Sequence, residues 1–406
     1  MLLLKITLLV ALVAWLIAIS VAYADGLIGR RIRRNLCARA PIAAETPPLS
    51  VVIAAHNQAT QLRRYLPEIL EQDYERFEVI VVDMISTDDT KDILERLEMQ
   101  YANLRHTFVP ASARDISIER LALTLGFRAA ANEWVVITHP DCHPASSQWL
   151  RRLGETIVQP NINVQSRQLK EPDMVLGFAR YDEQRSTWFD HKVGFYRLWN
   201  TMAGIQHILT GHAAIRADGC NMAYRKSLFM ANGGFAAAQD LKAGAEELLV
   251  NHNSTPSNTA LLLSPAAMVM QERLNSLRQW KKRLVFYAET RRHQCHTFLY
   301  RMKQMLRMAA PWLIMLTVAF PMIIGIVMIL MDPQPESIMM TAVLAVMLFT
   351  YIIVRLTCFH TTTRALSCRS YYISLLIMDL LLPFWNLSAW SKRRFTSQKE
   401  FRKKFV

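Results

Sequence analysis

The sequence predicts an α/β protein: a doubly wound, mostly parallel sheet domain with N-terminal and C-terminal transmembrane helices. Three observations carry this. Between residues 49 and 290, short runs of consecutive apolar residues alternate with amphipathic stretches, the texture of strands buried on both faces and of the helices that cover them. The 52% hydrophobic content is high for a soluble protein, and the excess sits in a few long uncharged runs outside that interval. The formal charge of +14 gathers beside those runs instead of covering the domain.

The first strand is expected at Ser50–Ala55 (SVVIAA), after the Pro47-Pro48 pair that marks the domain boundary. Leu62, Leu66, Ile69 and Leu70 recur at helical spacing and predict a crossover helix. Phe77–Asp83 (FEVIVVD) reads as the second strand, and Ser86 to Asp89 offer N-cap residues for the next helix. Residues 104–109 read as a third strand, 116–131 as a helix and Trp134–Thr138 as a fourth strand. In such sheets ligands bind beyond the carboxyl ends of the strands. Three polar clusters fall there: His56-Asn57-Gln58, Asp83 and His139-Pro140-Asp141.

Ile6 to Ala24 is apolar, and the Ala22-Tyr23-Ala24 sequence at its end has the small-residue spacing of a signal-peptidase site. Only Lys5 precedes the run while Arg30, Arg31, Arg33, Arg34 and Arg39 follow it, an asymmetry that favours an uncleaved anchor over 1–25 with its downstream side in the cytoplasm. A basic linker over 26–48 leads to the domain at 49–290, and a basic juxtamembrane segment, 291–311, follows it. Spans are expected at 312–331 and 337–354, joined by the Asp-Pro-Gln-Pro-Glu turn. Residues 371–390 are apolar but contain Asp379, Pro383 and Asn386, and a basic tail, 391–406, follows. A crossing there would export the tail, so an interfacial or re-entrant segment is expected. The chain is thus expected to be a multi-pass protein of a cell inner membrane with its domain in the cytoplasm.

The excess positive charge lies in 30–39, 273–307 and 391–406, so the rest of the chain is net acidic. A nucleic-acid-binding domain would carry a basic face of its own; basic residues flanking apolar runs fit anionic headgroups instead. The six cysteines show no CxxC pair and suit a reduced compartment.

Five segments occur in order: VVIAAHNQ, QDYERFEVIVVDMISTDDT, WVVITHPDCHPASSQWL, GCNMAYRKSLFMANGGF and GAEELLVN. Together they resemble the successive motifs of family-2, nucleotide-sugar-dependent glycosyltransferases of the GT-A fold. The resemblance implies that His56, Asn57 and Asp83 contact the donor nucleotide, and that Asn221 and Arg225 line the donor-sugar and phosphate side. It implies that Asp141, the second acid of an Asp-x-Asp motif, holds Mn²⁺ or Mg²⁺ bridging the diphosphate. It also places Glu246 at the catalytic base, with Glu247 as the neighbouring alternative.

The chain departs from the family pattern at several points. His139 replaces the first acid of Asp-x-Asp and is a possible ligand better suited to Mn²⁺ than Mg²⁺. Asn57-Gln58 stands where Asn-Glu is common in the family, and Asp83-Met84 and Ala245-Glu246 stand where acidic pairs are common. A Gln-x-x-Arg-Trp motif is missing, and Trp280-Lys281-Lys282-Arg283-Leu284, able to touch phosphates or the membrane surface, takes its region. This argues against a polymer-extruding synthase. Two functions are therefore expected from the sequence. One is an inverting glycosyltransferase moving a single sugar from a nucleotide sugar to a membrane-associated, lipid-linked or envelope-glycan acceptor. The other is a catalytically degenerate subunit scaffolding partner proteins in envelope-glycan assembly.

Overall fold

A computed structural model describes residues 2–37, 45–110, 117–158, 171–182, 187–235 and 244–395. The basic residues expected at Arg39 and in the tail beyond 395 lie outside the described residues. The chain divides into two compact units: residues 1–34 with 296–387, and residues 35–295 with 388–406.

The chain opens with helix α1 (Leu2–Cys37), which runs without a break past Ala24. The second unit then builds from β1 (Leu49–Ala55), α2 (Ala59–Leu70), β2 (Phe77–Asp83), α3 (Thr90–Gln100), β3 (Leu104–Phe108), α4 (Ile118–Ala129) and β4 (Trp134–Thr138). These elements match the predicted strands and helices to within two residues. The register of apolar side chains explains why: β1 and β4 are buried along nearly their whole length, and α2 buries Leu62, Tyr65, Leu66, Ile69 and Leu70 at helical spacing.

Next come β5 (Cys142–Pro144), α5 (Trp149–Val158), β6 (Met174–Leu176), β7 (Ala179–Tyr181), α6 (Trp188–Leu209), β8 (Met222–Arg225) and α7 (Lys226–Ala231). The unit continues with α8 (Ala245–Asn253), β9 (Thr259–Leu261), β10 (Val269–Gln271) and α9 (Leu277–His293). A Thr187–Asp190 capping box starts α6, and Ser276 accepts from the Gln279 amide to start α9.

Seven strands form one sheet in the order β3-β2-β1-β4-β8-β6-β9. The β1–β2, β2–β3, β1–β4 and β6–β9 pairs are parallel, and β8 runs antiparallel to β4 and β6. Strands β2 and β3 lie on one side of β1 while β4 lies on the other. The strand order therefore reverses between β1 and β4, opening a crevice at their carboxyl ends. A second sheet, β5-β10-β7, sets Gln271 of β10 opposite Cys142 of β5. The resulting fold is GT-A-like.

The other unit gathers α1 with α10 (Phe298–Ile314), α11 (Phe320–Met331), α12 (Pro335–Ala365) and the first part of α13 (Ile373–Phe395). Between α10 and α11, Met315–Ala319 is wound as a π-helix, flanked by Pro311 and Pro321, which lack the N–H of an ordinary turn. The helix thus begins at Phe298, well before the expected 312. Arg301, Lys303 and Arg307 are good helix formers, and hydropathy marks residence in lipid instead of the helix end. Among the described residues, four helical stretches are long and apolar enough to cross a membrane: Lys5–Arg34, Phe298–Met331, Pro335–Ala365 and Ile373–Phe395. Ala11, Ala18, Ile314, Val318, Leu344 and Tyr351 pack at the core of the bundle, and Trp15 Nε1 donates to the Met347 carbonyl at 2.8 Å.

Candidate active site

Two groups of side chains form at the carboxyl ends of β1, β2 and β4. The first is a small cradle. His56 Nδ1 lies 2.8 Å from the Met84 carbonyl, and the Asn57 Oδ1 accepts the Thr87 amide at 2.7 Å. The Asn57 amide in turn donates to Ser86 Oγ at 2.9 Å, and the Ser86 amide donates to Asp83 at 3.2 Å. Asn57 and Ile85 both sit at left-handed φ, 51° and 59°. Asn tolerates this, but a β-branched Ile does not, so the loop is held under strain of the kind found at ligand sites. The structure therefore joins His56, Asn57 and Asp83, three residues 27 positions apart at the extremes, in one loop pair.

The second group lines a cavity of about 590 Å³. His139 and Asp141 reach it from the turn after β4, and Glu246 and Glu247 from the first turn of α8. Gly244 starts that turn at φ 78°, and a Cβ on it would meet Thr290 Oγ1 at 2.5 Å, so the turn requires glycine. His56, Asn57 and Asp83 do not line this cavity.

Glu246 and Glu247 are not a solvated pair. They are only 6% and 7% exposed and have different partners. Glu247 accepts from Arg216 Nε at 2.8 Å, and Arg216 Nη1 donates to Asn200 Oδ1 at 2.6 Å. Among the described residues, the ion pair made by Glu246 is with His139 Nε2, at 3.8 Å. Backbone room for this meeting comes from Gly219: a Cβ there would stand 3.2 Å from His139 Nε2 and 3.4 Å from Glu246 Cδ. Burial disfavours the charged His139 ring, but Cys220, Glu246, Asp141 and Glu119 outweigh it and push its pKa up to about 9.

Asp141 is held by a chain of side chains. Its Oδ2 accepts from Gln271 Nε2 at 2.9 Å, and Gln271 Oε1 accepts from Arg197 Nη1 at 2.7 Å. Arg197 grips Asp218 with Nε and Nη2, at 3.2 Å and 2.8 Å, and lies over the Tyr181 ring. Burial opposes ionisation of Asp218, but the Arg197 guanidinium more than offsets it and holds the carboxyl below its ordinary value.

Sequence reasoning missed Arg197, Gln271 and Glu119. Glu119, on the first turn of α4, also lines the cavity; burial first, then Glu246, raises its pKa to about 7. No local signal marks these residues, because α6, β10 and α4 carry no motif of their own. The basic stretch after Trp280 was legible. Lys282 and Arg283 line the cavity from α9, whereas Trp280 is buried edge-on to Tyr196.

Two sequence candidates lie elsewhere. Asn221 is fully buried; its amide accepts from Trp149 Nε1 at 3.0 Å and donates to the Phe178 and Ala267 carbonyls. Those bonds use its hydrogen-bonding capacity to tie loops together. Arg225 pairs with Glu171 and Asp173 and lies over Trp134, at the start of β4. That is the opposite end of the strand from the cavity.

A metal is tested by the donors present. Among the described residues no group of three or more His, Cys, Asp or Glu side chains can hold an ion by itself. Asp141 has one oxygen bonded to Gln271, so the other fits a Mg²⁺- or Mn²⁺-type site whose remaining ligands are phosphate oxygens and water.

Comparison with known proteins bears on the family and the fold. The model of the family described as Glycosyl transferase family 2 matches residues 50–230. The glycosyltransferase AglE of Haloferax volcanii is 29% identical over 113 residues, 27% of this chain and 36% of that protein. The match thus spans about a third of the length of that curated relative. Among solved structures, the mannosyltransferase PcManGT from Pyrobaculum calidifontis, in complex with GDP-Man and Mn²⁺, overlaps with a TM-score of 0.52 at 19% identity. The overlap covers 94% of this chain and 99% of that one, a likeness of fold. TarS from S. aureus, in complex with UDP-GlcNAc, overlaps more loosely, with a TM-score of 0.41 at 15% identity over 88% of this chain and 92% of that one.

Proposed function

We propose, for a chain whose residues 50–230 match the family described as Glycosyl transferase family 2, an inverting enzyme that moves one sugar from a nucleotide-sugar donor to a membrane-associated acceptor, lipid-linked or envelope-glycan. Its domain faces the cytoplasm at an inner membrane. The observation that carries this reading is the division of labour between the two glutamates. Both line the cavity, but Glu247 is engaged by Arg216, whereas among the described residues the ion pair of Glu246 is with His139 and not with an arginine.

The cradle of His56, Asn57 and Asp83 would hold the nucleoside, with carboxylate and amide groups matched to base and ribose donors. The diphosphate would then reach from β1 toward β4, where Asp141 would hold a Mn²⁺ or Mg²⁺ ion. Such an ion, when bound, neutralises charge on the leaving diphosphate. Lys282 and Arg283 would supply positive charge to the same phosphates from α9. Glu246 takes the proton of the acceptor hydroxyl as its oxygen attacks the anomeric carbon. The bond from that carbon to the diphosphate oxygen breaks on the opposite face, which inverts configuration and releases the nucleoside diphosphate.

The test uses a radiolabelled nucleotide-sugar panel with native membranes and Mn²⁺, so that the acceptor is supplied by the membrane. Label should enter a membrane product with wild-type protein. Glu246→Gln should keep donor binding while transfer falls by about two to four orders of magnitude. Donor binding without any labelling by the wild type, and no effect of Glu246→Gln, would instead favour a degenerate scaffold.

A further inference from the structure

Helix α13 qualifies as a membrane span by length, yet it is the least apolar of the four such helical stretches. Its contacts give a different orientation. Just before the helix, buried Tyr371 meets the Phe359 ring and exposed Tyr372 the His360 ring. Asp379 accepts from Arg355 Nε and Nη2, both at 2.8 Å, and Arg355 Nη1 also holds Asp25 at 2.7 Å. The Leu380 carbonyl accepts from Trp312 Nε1 at 3.1 Å and Asn386 meets Met308 Sδ, while the exposed Phe384 touches Trp312 edge-on from the flank of the helix.

The helix from Ile373 to Asn386 covers about 20 Å. The partners just named, those of the two preceding tyrosines included, fall in two short bands, 355–360 on α12 and 308–312 on α10, each spanning about 6–8 Å. Both bands lie at one level. Arg307 and Arg355 bracket the uncharged runs at the same end of the bundle, and both pair with Asp25, at 3.0 and 2.7 Å. A helix crossing alongside α10 and α12 would meet partners spread along their length. This one lies across their ends.

Connectivity gives the same answer independently. Buried Arg393, near the end of α13, binds Glu289 of α9, with Nη2 2.8 Å from Oε1. Counting from Glu289, the chain leaves through α10–α11 and returns through α12. A third crossing by α13 would put Arg393 on the far side of the membrane from the residue it is bonded to.

The outward face of α13 is an apolar stripe. Ile373, Ile377, Phe384 and Leu387 are exposed at helical spacing, and exposed Lys392 and Arg394 follow. We propose that α13 is a membrane-surface helix. The stripe sinks to the boundary of headgroups and acyl chains, and Lys392 and Arg394 meet the phosphates of anionic lipids. The buried set Asp25, Arg307, Arg355 and Asp379 fixes the helix at that depth.

The experiment uses the full chain with Cys37, Cys295, Cys358 and Cys368 changed to Ser and the two buried thiols, Cys142 and Cys220, left in place. Single cysteines are then introduced. In sealed membrane vesicles, Tyr372→Cys and Lys392→Cys should react with an impermeant maleimide from one and the same face, and Gln334→Cys from the other. Nitroxide labels at 377, 384 and 387, in proteoliposomes of phosphatidylcholine and phosphatidylglycerol, should report one shallow depth. Labelling of 372 and 392 from opposite faces overturns the proposal. So does a depth that changes by about 1.5 Å per residue from 377 to 387. A label at Arg394→Cys should contact the phosphatidylglycerol surface more closely than the phosphatidylcholine surface; equal behaviour in both overturns the headgroup assignment.

Discussion

Gln271 donates from Nε2 to Oδ2 of Asp141 at 2.9 Å, so one oxygen of that carboxylate is committed to the protein before any ligand arrives. The amide of Gln271 is itself oriented by Arg197, whose other nitrogens hold Asp218. A carboxylate fixed in this way presents its second oxygen in one direction, which favours a preorganised contact over a searching one. Replacing Gln271 by Leu keeps the volume but frees Asp141 and leaves Arg197 Nη1 without its acceptor. Stability should fall by about 1–3 kcal/mol, the usual cost of a lost buried partner. Calorimetry with a nucleoside diphosphate should show about tenfold weaker binding in Mn²⁺ and unchanged binding in EDTA.

Asp141→Ala tests the end of the same chain. Affinity for the nucleoside diphosphate should fall far more in Mn²⁺ than in EDTA, because the lost carboxylate acts through the ion. Equal affinity of mutant and wild type in Mn²⁺ would remove Asp141 from metal binding.

The two glutamates of α8 should separate by phenotype. Glu247→Ala leaves the half-buried Arg216 without this carboxylate, and a loss of up to about 3 kcal/mol, the lower end for a buried pair, should be visible as a lowered Tm. Glu246→Ala removes no arginine partner and should lower Tm much less while abolishing transfer. A variant pair with the opposite pattern would move the base to Glu247.

Glu119 should make stability depend on pH. Its pKa in the folded chain is raised to about 7 from an ordinary 4.5, so the folded state binds the extra proton between those values. Stability should therefore fall as pH rises from about 4.5 to about 7. Glu119→Gln, which carries no charge, should flatten that part of the Tm–pH curve.

In the helical bundle, Arg355→Leu leaves Asp25 and Asp379 facing each other without the guanidinium between them. The expected loss is about 3–5 kcal/mol, read as a lower Tm of the detergent-solubilised chain. Asp379→Asn, which still accepts from Arg355, should be milder.

What the sequence determined by itself is whatever local pattern encodes. Consecutive apolar residues in Ser50–Ala55 and Trp134–Thr138 specify buried strands, and the spacing of Leu62, Leu66 and Ile69 specifies the helix between them. The polar residues that end β1, β2 and β4 were legible for the same reason, since each follows its strand directly. The tertiary structure alone decided which polar residues share a site and which are spent on packing. Asn221 and Arg225 sit in a motif-like segment, but one is consumed by three loop bonds and the other faces the wrong end of β4. Gln271 is 130 residues from Asp141, and Arg197, between them in the sequence, is 74 from Gln271. Their meeting depends on β10 pairing with β5 so that Gln271 stands opposite Cys142. A shift of one residue in that register would turn Gln271 to the other face of the strand, and no local pattern in α6 or β10 records it.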